Sequence, residues 1–389
     1  MKDTYDLAII GGGPAGSACA LAAARAGLSV ALFEAQVTLC DKPCGEGLMP
    51  PGVDALRELG LHDLVLEGRP FAKLRYVLPG VDPLELALPS PGLALDRPSL
   101  TRGLEGALQR ASGVTRFFGH VDVERLVGGD GTAGFRILSR AASIHARVLV
   151  PADGLSGKSA AWLRGGTAAI TDRNRPRRAA RLGVRARYGA SGPLDAVEIH
   201  FSRGTEVYLT PLPQNRINVA VLVGGAPAVT GGSDAILARA LAEHPRAASR
   251  LAHRITEPEA RALGYAAPAC VARAGTLLVG DAGGGIDPIL GCGVTLALES
   301  GILAAQAARA IVSGDVSGGP ERRYVREYKK RTQMRRALAA FLLALSNRPV
   351  LARGTLGLAR VTPRTLSWLV NVATGSSAQE PVRSRLVHS

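Results

Sequence analysis

Hydrophobic and polar positions fall into blocks along the chain, and the block lengths predict its elements. YDLAII (5–10) is an apolar run of strand length, and after GGGPAG (11–16) an alanine-rich stretch of helical character continues to Gly27. LSVALFE (28–34) is a second strand-length run, so the first 34 residues predict a strand, a glycine turn, a helix and a strand. VLVPADGLSGKSAAWL (148–163) repeats strand, turn and helix around Ala152-Asp153-Gly154. TLLVGDAGGGIDPILGCGVTLALESG (276–301) does so again, with a long helix starting near Gly291. Between Gly165 and Tyr265 the period shifts to two. LGVRARY (182–188), AVEIHF (196–201), EVYLTPL (206–212) and RINVAVLV (216–223) predict an antiparallel sheet with one covered face. From Arg322 onward the period is helical, with Leu338, Phe341, Leu342 and Leu345 three and four apart on one face.

The first turn carries chemistry. Gly11, Gly13 and Gly16 match G-x-G-x-x-G, and Glu34 ends the second strand about 20 residues on, as the dinucleotide fingerprint requires. Glycine permits the tight turn and lets backbone N–H groups approach a pyrophosphate, the helix N-terminus adds partial positive charge, and the acid accepts from ribose hydroxyls. The loop from Gly280 to Val294 offers a second set of amides and a second helix dipole, suited to a phosphate, a ribityl chain or an electron-rich ring. A nicotinamide dinucleotide would need only one such site.

Composition narrows the partners. The 47 basic and 32 acidic residues give a net charge of +15, concentrated in 173–178 and 322–336. Stacking aromatics and nucleic-acid motifs are lacking there, so a solvated basic face is expected rather than nucleic-acid binding. Such a face also suits an anionic cofactor, an acidic carrier or peripheral contact with an anionic membrane. Charges such as Glu299 break the long apolar stretches, so no transmembrane segment is expected, and Asp3 and Asp6 ahead of the apolar run that begins at Leu7 argue against an export signal. Five cysteines, of which only Cys40 and Cys44 are close in sequence, predict neither a disulfide framework nor a metal site, and fit a cytoplasmic setting. The seven histidines are scattered without a Ser-His-Asp or metal-ligand pattern, which leaves the difficult chemistry to a cofactor. The loop KPCGEGLMPPG (42–52) holds the two candidate catalytic side chains, Cys44 and Glu46. Cys44 is either a redox partner of Cys40 or Cys292, which demands Cα atoms within about 7 Å, or a small residue in a glycine-rich loop passing close to a ring.

GGGPAG with Glu34, the Asp153-Gly154 pair and GDAGGGIDPILGCGV together resemble the flavoprotein family of para-hydroxybenzoate hydroxylase, geranylgeranyl reductases and flavin-dependent halogenases, over most of the first 310 residues. The resemblance implies an α/β fold with a Rossmann-like FAD-binding domain, a second antiparallel β-sheet substrate domain and a helical C-terminal region. It places a discontinuous FAD-binding domain at 1–64, 98–164 and 266–320, the substrate domain at 65–97 and 165–265, and the helical region at 321–389. It implies FAD as cofactor, NADPH or NADH as reductant, and a hydrophobic or aromatic small-molecule substrate. The cofactor-binding residues it implies in the first half are Gly11, Gly13, Pro14, Ala15, Gly16, Glu34, Ala35, Cys44 and Gly45, with Arg97 as an arginine that contacts FAD in relatives and Val121 beside the adenine. In the second half they are Asp153, Gly154, Gly280, Asp281 near the ribityl chain, Pro288, and Gly291, Gly293 and Val294 along the flavin's pyrimidine side.

The reaction is less defined. The Cys-Gly pair followed by Glu is similar to geranylgeranyl reductases, and together with Glu299-Ser300-Gly301 the loop leans toward the reductase and halogenase branches. The Trp-x-Trp-x-Ile-Pro motif of halogenases is replaced by YLTPLPQNRINVAV, which disfavours halogenation, while its Tyr-then-Pro order loosely resembles the reductases. Similarity of the loop to enzymes of polyketide and phenolic-lipid pathways implies an FAD-dependent monooxygenase that hydroxylates an aromatic or polyketide-type molecule with NAD(P)H and O2. The alternatives are a flavin reductase of isoprenoid double bonds and a non-catalytic flavin-binding or electron-carrying protein.

Overall fold

The computed structural model describes residues 3–36, 41–80, 82–127, 133–140, 142–156, 181–202, 204–224, 231–263, 268, 270–315 and 319–346. The basic run 173–178, Cys40 and the helix expected after Ser156 lie outside them.

Two sheets organise the chain. In the first, Thr4–Ile10 pairs in parallel with Val30–Glu34 on one side and Ser143–Pro151 on the other, Val114–Phe118 extends the first edge and Thr276–Leu277 the second. The helix Pro14–Arg25 follows the glycine turn, with Gly13 as its N-cap and Pro14 at the first helical position, where its missing N–H costs nothing. The second strand starts at Val30 rather than Leu28 because the helix closes through Gly27, at φ 83°, and the Leu28 N–H donates to Ala23 O at 3.0 Å.

The second sheet runs Leu251–Arg254, Arg181–Ala190, Arg216–Val223, Thr205–Leu212, Val197–Ser202, Arg69–Val77, Leu84–Ala94, Gly47–Leu48, with Glu259–Leu263 also paired to Arg181–Ala190. Its pairings are antiparallel except that Val197–Ser202 runs parallel to Arg69–Val77, with Val197 opposite Leu74. The sequence predicts one covered face; the structure corrects this, because all eight residues of Thr205–Leu212 are buried. Alternate side chains serve two cores. Val207, Leu209, Val219 and Val221 pack under the helix Ser233–Glu243 through Ile236, Leu237 and Ala240. Tyr208, Leu212, Leu222 and Ile199 face the other way, into a cluster with Ile286, Ile289, Leu290 and Leu338.

Two helices complete the fold, Gly293–Val312 and Pro320–Ser346. The former crosses the helix Pro14–Arg25 through small residues, and a Cβ added to Gly301 would collide with Ala15 O. By length and composition Gly293–Val312 is long and apolar enough to cross a membrane, contrary to the expectation from Glu299. It is a core helix, with Leu298, Ala304 and Ala308 fully buried, and Glu299 is neutralised by Arg335 at 2.7 Å. Of the apolar face expected on the last helix, Leu338 and Leu342 do pack inward, joined by Ala339 and Leu343, whereas Phe341 is 46% exposed. The Leu345 side chain lies outside the described residues.

On the interior strand Val197–Ser202 of the second sheet, Glu198 accepts from His200 and Arg250 at 3.0 Å and from Arg75 at 2.7 Å. Burial works to raise its carboxyl, but His200 and Arg75 outweigh burial and bring it down to about 2. His244 is buried beside His200, with Nε2 unpartnered, and burial pushes it down to about 4. A histidine kept neutral in the fold takes up a proton more readily when unfolded. Its contribution is therefore fully present above about pH 6.5 and is lost as pH falls toward 4. The protein should lose on the order of 2 kcal/mol between pH 7 and 4.5 through this group. Thermal melts of wild type and His244→Phe at both pH values check it: the variant should show a smaller loss, and equal losses would assign the acid lability elsewhere.

Candidate flavin site

The glycines of the first turn divide into two kinds. A Cβ on Gly11, at φ 110°, would lie 2.5 Å from Ala152 O, and one on Gly16 would collide with Gly11 O, so both are required by close backbone packing. Gly13 differs: nothing lies within 4 Å of its added Cβ. Its backbone faces open space at the N-terminus of the helix carrying Pro14 and Ala15, the place for an anionic group. Glu34 closes the neighbouring corner by accepting from the Gly12 N–H at 2.7 Å and the Gln36 N–H at 3.1 Å, with Ala35 exposed between. The Gly119 N–H donates to Glu34 O at 2.9 Å, which brings the start of the strand Val121–Val127 to the same corner.

A second group of segments forms the opposite wall. Asp153 and Asp281 are half-buried, each after a strand of the first sheet. Burial pushes the Asp281 carboxyl up, and the charges of Arg261, Arg97 and Lys42 act against it, so three cations from separate segments converge there. Arg97 opens the helix Arg97–Arg110, where Asp96 accepts from the Ser99 N–H at 2.8 Å as N-cap. The Arg97 Nε is buried without a protein partner. From Gly280 to Val294 the chain makes a short helical turn, bends at Gly284 (φ 92°), makes another at Pro288–Leu290 and a left-handed step at Gly291, then enters the long helix at Gly293. Asp287 accepts from the Ile289 N–H at 3.1 Å and fixes the turn at Pro288.

This loop is held from behind by residues whose anchoring role sequence reasoning missed. Ser300 Oγ accepts from the Gly280 N–H at 2.9 Å. Tyr324 donates to Leu278 O at 2.5 Å, Tyr328 to Gly280 O at 3.3 Å, and Arg336 to Gly283 O at 3.3 Å and to Gly284 O. The basic segment expected to be a solvated face is thus split, since Arg335 and Arg336 turn inward. Glu299-Ser300-Gly301 has a packing role at each position: ion pair, loop anchor and helix crossing. The spacing of four between Tyr324 and Tyr328 was the available signal, since it puts both on one helix face.

The Cys44 loop is tied to the inner face of the second sheet. Asn218 Nδ2 donates to Cys44 O at 3.0 Å, and Thr210 Oγ1 to Gly45 O at 2.7 Å. Glu46, at φ 57°, is 3% exposed; its carboxylate accepts from Arg187 Nε at 3.1 Å, from a second Arg187 nitrogen, and from the Arg97 N–H at 3.0 Å. Burial pushes the Glu46 carboxyl up while Arg187 pulls it down. With its oxygens so occupied, Glu46 acts as a strut between loop, sheet and Arg97. Cys44 is half-buried and its Sγ accepts from the Glu46 N–H at 3.4 Å. Cys292 is buried and its thiol is pushed up to about 11, which leaves little thiolate for exchange.

These walls suit FAD. Added Cβ atoms on Gly13, Gly45, Gly154 and Gly293 would all meet nothing within 4 Å, and an unpartnered arginine nitrogen and three converging cations accompany that open backbone. A bound flavin would supply hydride and electron transfer. The open backbone at Gly13 and the Glu34 carboxylate would face such a group, and the loops around it are pinned from behind.

Comparison with known proteins agrees. Digeranylgeranylglycerophospholipid reductase 2 of Methanopyrus kandleri is 28% identical over 338 residues, 82% of this chain and 81% of that protein. Among solved structures, the flavin-dependent brominase Bmp2 superposes with a TM-score of 0.79 at 20% identity, over 96% of this chain and 94% of that one. The p-nitrophenol 4-monooxygenase of Pseudomonas putida DLL-E4 does so with a TM-score of 0.77 at 16% identity, over 97% and 100%. Residues 4–333 match the family described as FAD binding domain; with the turn, the acid and both flavin-side loops in place, the chain belongs to that family and is an FAD-dependent oxidoreductase.

Proposed function

We propose that the protein, loaded with FAD and reduced by NADPH or NADH, saturates carbon–carbon double bonds of a long isoprenoid-type chain. The observation that carries this is the apolar cluster between the flavin-side loop and the second sheet. Ile286, Ile289 and Leu290 face Ile199, Tyr208 and Leu222 there, and the cluster continues to Leu338 and Ala339 of the last helix. A hydrocarbon chain gains by entering such surroundings, by about 25 cal/mol per Å² of apolar area removed from water, whereas a polar ring would forfeit hydrogen bonds. The relative aligned over four-fifths of the chain is named for reduction of a digeranylgeranyl lipid, which supports the same substrate class. Alkene reduction also needs a proton. Tyr208, in this cluster, donates to Glu206 at 2.7 Å, and burial holds its hydroxyl well above the usual range, so it stays protonated.

Hydroxylation of an aromatic or polyketide-type substrate is the second reading. It is supported by the polar end of the same sheet face, where Arg185 Nε and Asn218 Oδ1 are buried without partners and suit a substrate oxygen. Isotopes separate the two. Anaerobic, dithionite-reduced holoenzyme should convert a prenylated lipid to a product two mass units heavier per double bond. Strict dependence on O2, with one oxygen-18 atom from labelled O2 in the product, would transfer the assignment to the monooxygenase. Absence of turnover in both assays would leave a flavin carrier.

A further inference from the structure

The outward face of the last helix is graded along its length. Arg326, Lys330, Met334, Ala337 and Phe341 are all exposed, and at 100° per residue they lie within one narrow stripe. Its first half belongs to a segment with eight basic and two acidic residues between Glu321 and Arg336. Its second half, 337–346, has no charge at all. Met334 is 49% and Phe341 46% exposed, two of the largest exposed apolar side chains among the described residues. Glu327 pairs with Arg326, Lys330 and Arg331 at 3.6, 2.8 and 3.2 Å, so a single acid is shared by three cations and the stripe keeps a positive excess.

The position of the stripe matters as much as its composition. On the turn that exposes Phe341, both Leu342 and Leu343 pack on the rim of the apolar cluster, the same cluster that Leu78 and Leu84, at the end of the Arg69–Val77 and Leu84–Ala94 hairpin, also pack against. These rim side chains are only partly buried. The uncharged end of the helix therefore joins exposed apolar surface to the internal apolar cluster, and the basic end lies farther along the same face.

We propose that this stripe is a peripheral docking surface for an anionic lipid bilayer, with Phe341 and Met334 entering the interface and Arg326 and Lys330 meeting lipid phosphates. Charge complementarity selects this occupant. A basic half followed by an apolar half is the arrangement that gains from headgroup attraction and acyl burial together, whereas a second copy of the chain, itself at +15, is repelled. The proposal does not depend on which reaction the flavin performs.

The test is co-sedimentation of full-length, FAD-loaded protein with vesicles of phosphatidylcholine alone and of phosphatidylcholine with 30–40% phosphatidylglycerol. Binding to the anionic vesicles is expected, falling steeply when salt is raised from 0.1 M to about 1 M. Arg326→Glu/Lys330→Glu should weaken it by about 30-fold or more, at roughly 1 kcal/mol per basic residue. Met334→Ser/Phe341→Ser should weaken it about tenfold or more. Both pairs are exposed, so unchanged melting temperature and flavin content are required of each variant. Equal binding to both vesicle types, no binding, or binding untouched by either pair overturns the proposal. So does a concentration-dependent dimer lost in the serine variant, which would give the stripe to a second copy. Strong hydrogen-exchange protection of these side chains' segment without vesicles, released on proteolytic loss of 347–389, would give it to the chain's own C-terminal segment and overturn the proposal equally.

Discussion

Replacing Gly13 by glutamate is expected to abolish FAD binding while leaving the protein folded. Nothing lies within 4 Å of an added Cβ, and the backbone at φ −66° is open to any residue, so the protein has no steric objection. A carboxylate at a helix N-terminus even gains a few tenths of a kcal/mol from the dipole. What it opposes is the pyrophosphate. One added charge about 4 Å from another costs about 4 kcal/mol at the effective dielectric of a protein surface, or about three decades in Kd. The purified variant should be colourless and melt near the wild-type apoprotein, with FAD released on denaturation falling from near one per chain to a few per cent. Gly16→Ala is the contrasting control, because its Cβ collides with Gly11 O and should impair folding itself. A yellow Gly13→Glu protein with wild-type FAD affinity would place the phosphates elsewhere.

The division between these two glycines marks how far the sequence could be read. Spacing revealed the turn, the acid at Glu34 and the second loop at Gly280–Val294, because strand, glycine and helix follow one another locally. It could not tell which glycines serve the fold, since Gly16 owes its role to contact with Gly11 and Gly301 to contact with Ala15, across turns and helices. Period two exposed the strands of the second sheet but not the covering of both faces, which depends on the helix Ser233–Glu243 and the flavin-side loop arriving from far along the chain. The inward turn of Arg335 and Arg336 was hidden for a related reason. Basic residues at this density read as solvated until Glu299 and the carbonyls of Gly283 and Gly284 are placed beside them.

The second large effect concerns Glu46, which sequence reasoning places among candidate catalysts and the structure makes a strut. Glu46→Ala removes the closest acceptor from Arg187, which is 7% exposed and would keep only Asp41, at 3.4 Å. An uncompensated buried guanidinium costs about 3–5 kcal/mol, and the melting temperature should fall by roughly 5–10 °C. Because Glu46 also accepts from the Arg97 N–H, FAD affinity should fall in the same variant. Replacing both partners, as in Glu46→Leu/Arg187→Met, leaves no orphaned charge, and stability should return to within about 1–2 kcal/mol of wild type. A catalytic Glu46 makes the opposite forecast: Glu46→Ala would melt near wild type and hold FAD but not turn over, and the double variant would gain nothing in stability. Melting curves and flavin content of Glu46→Ala and of the double variant decide between them, because only a strut is rescued by removing its partner.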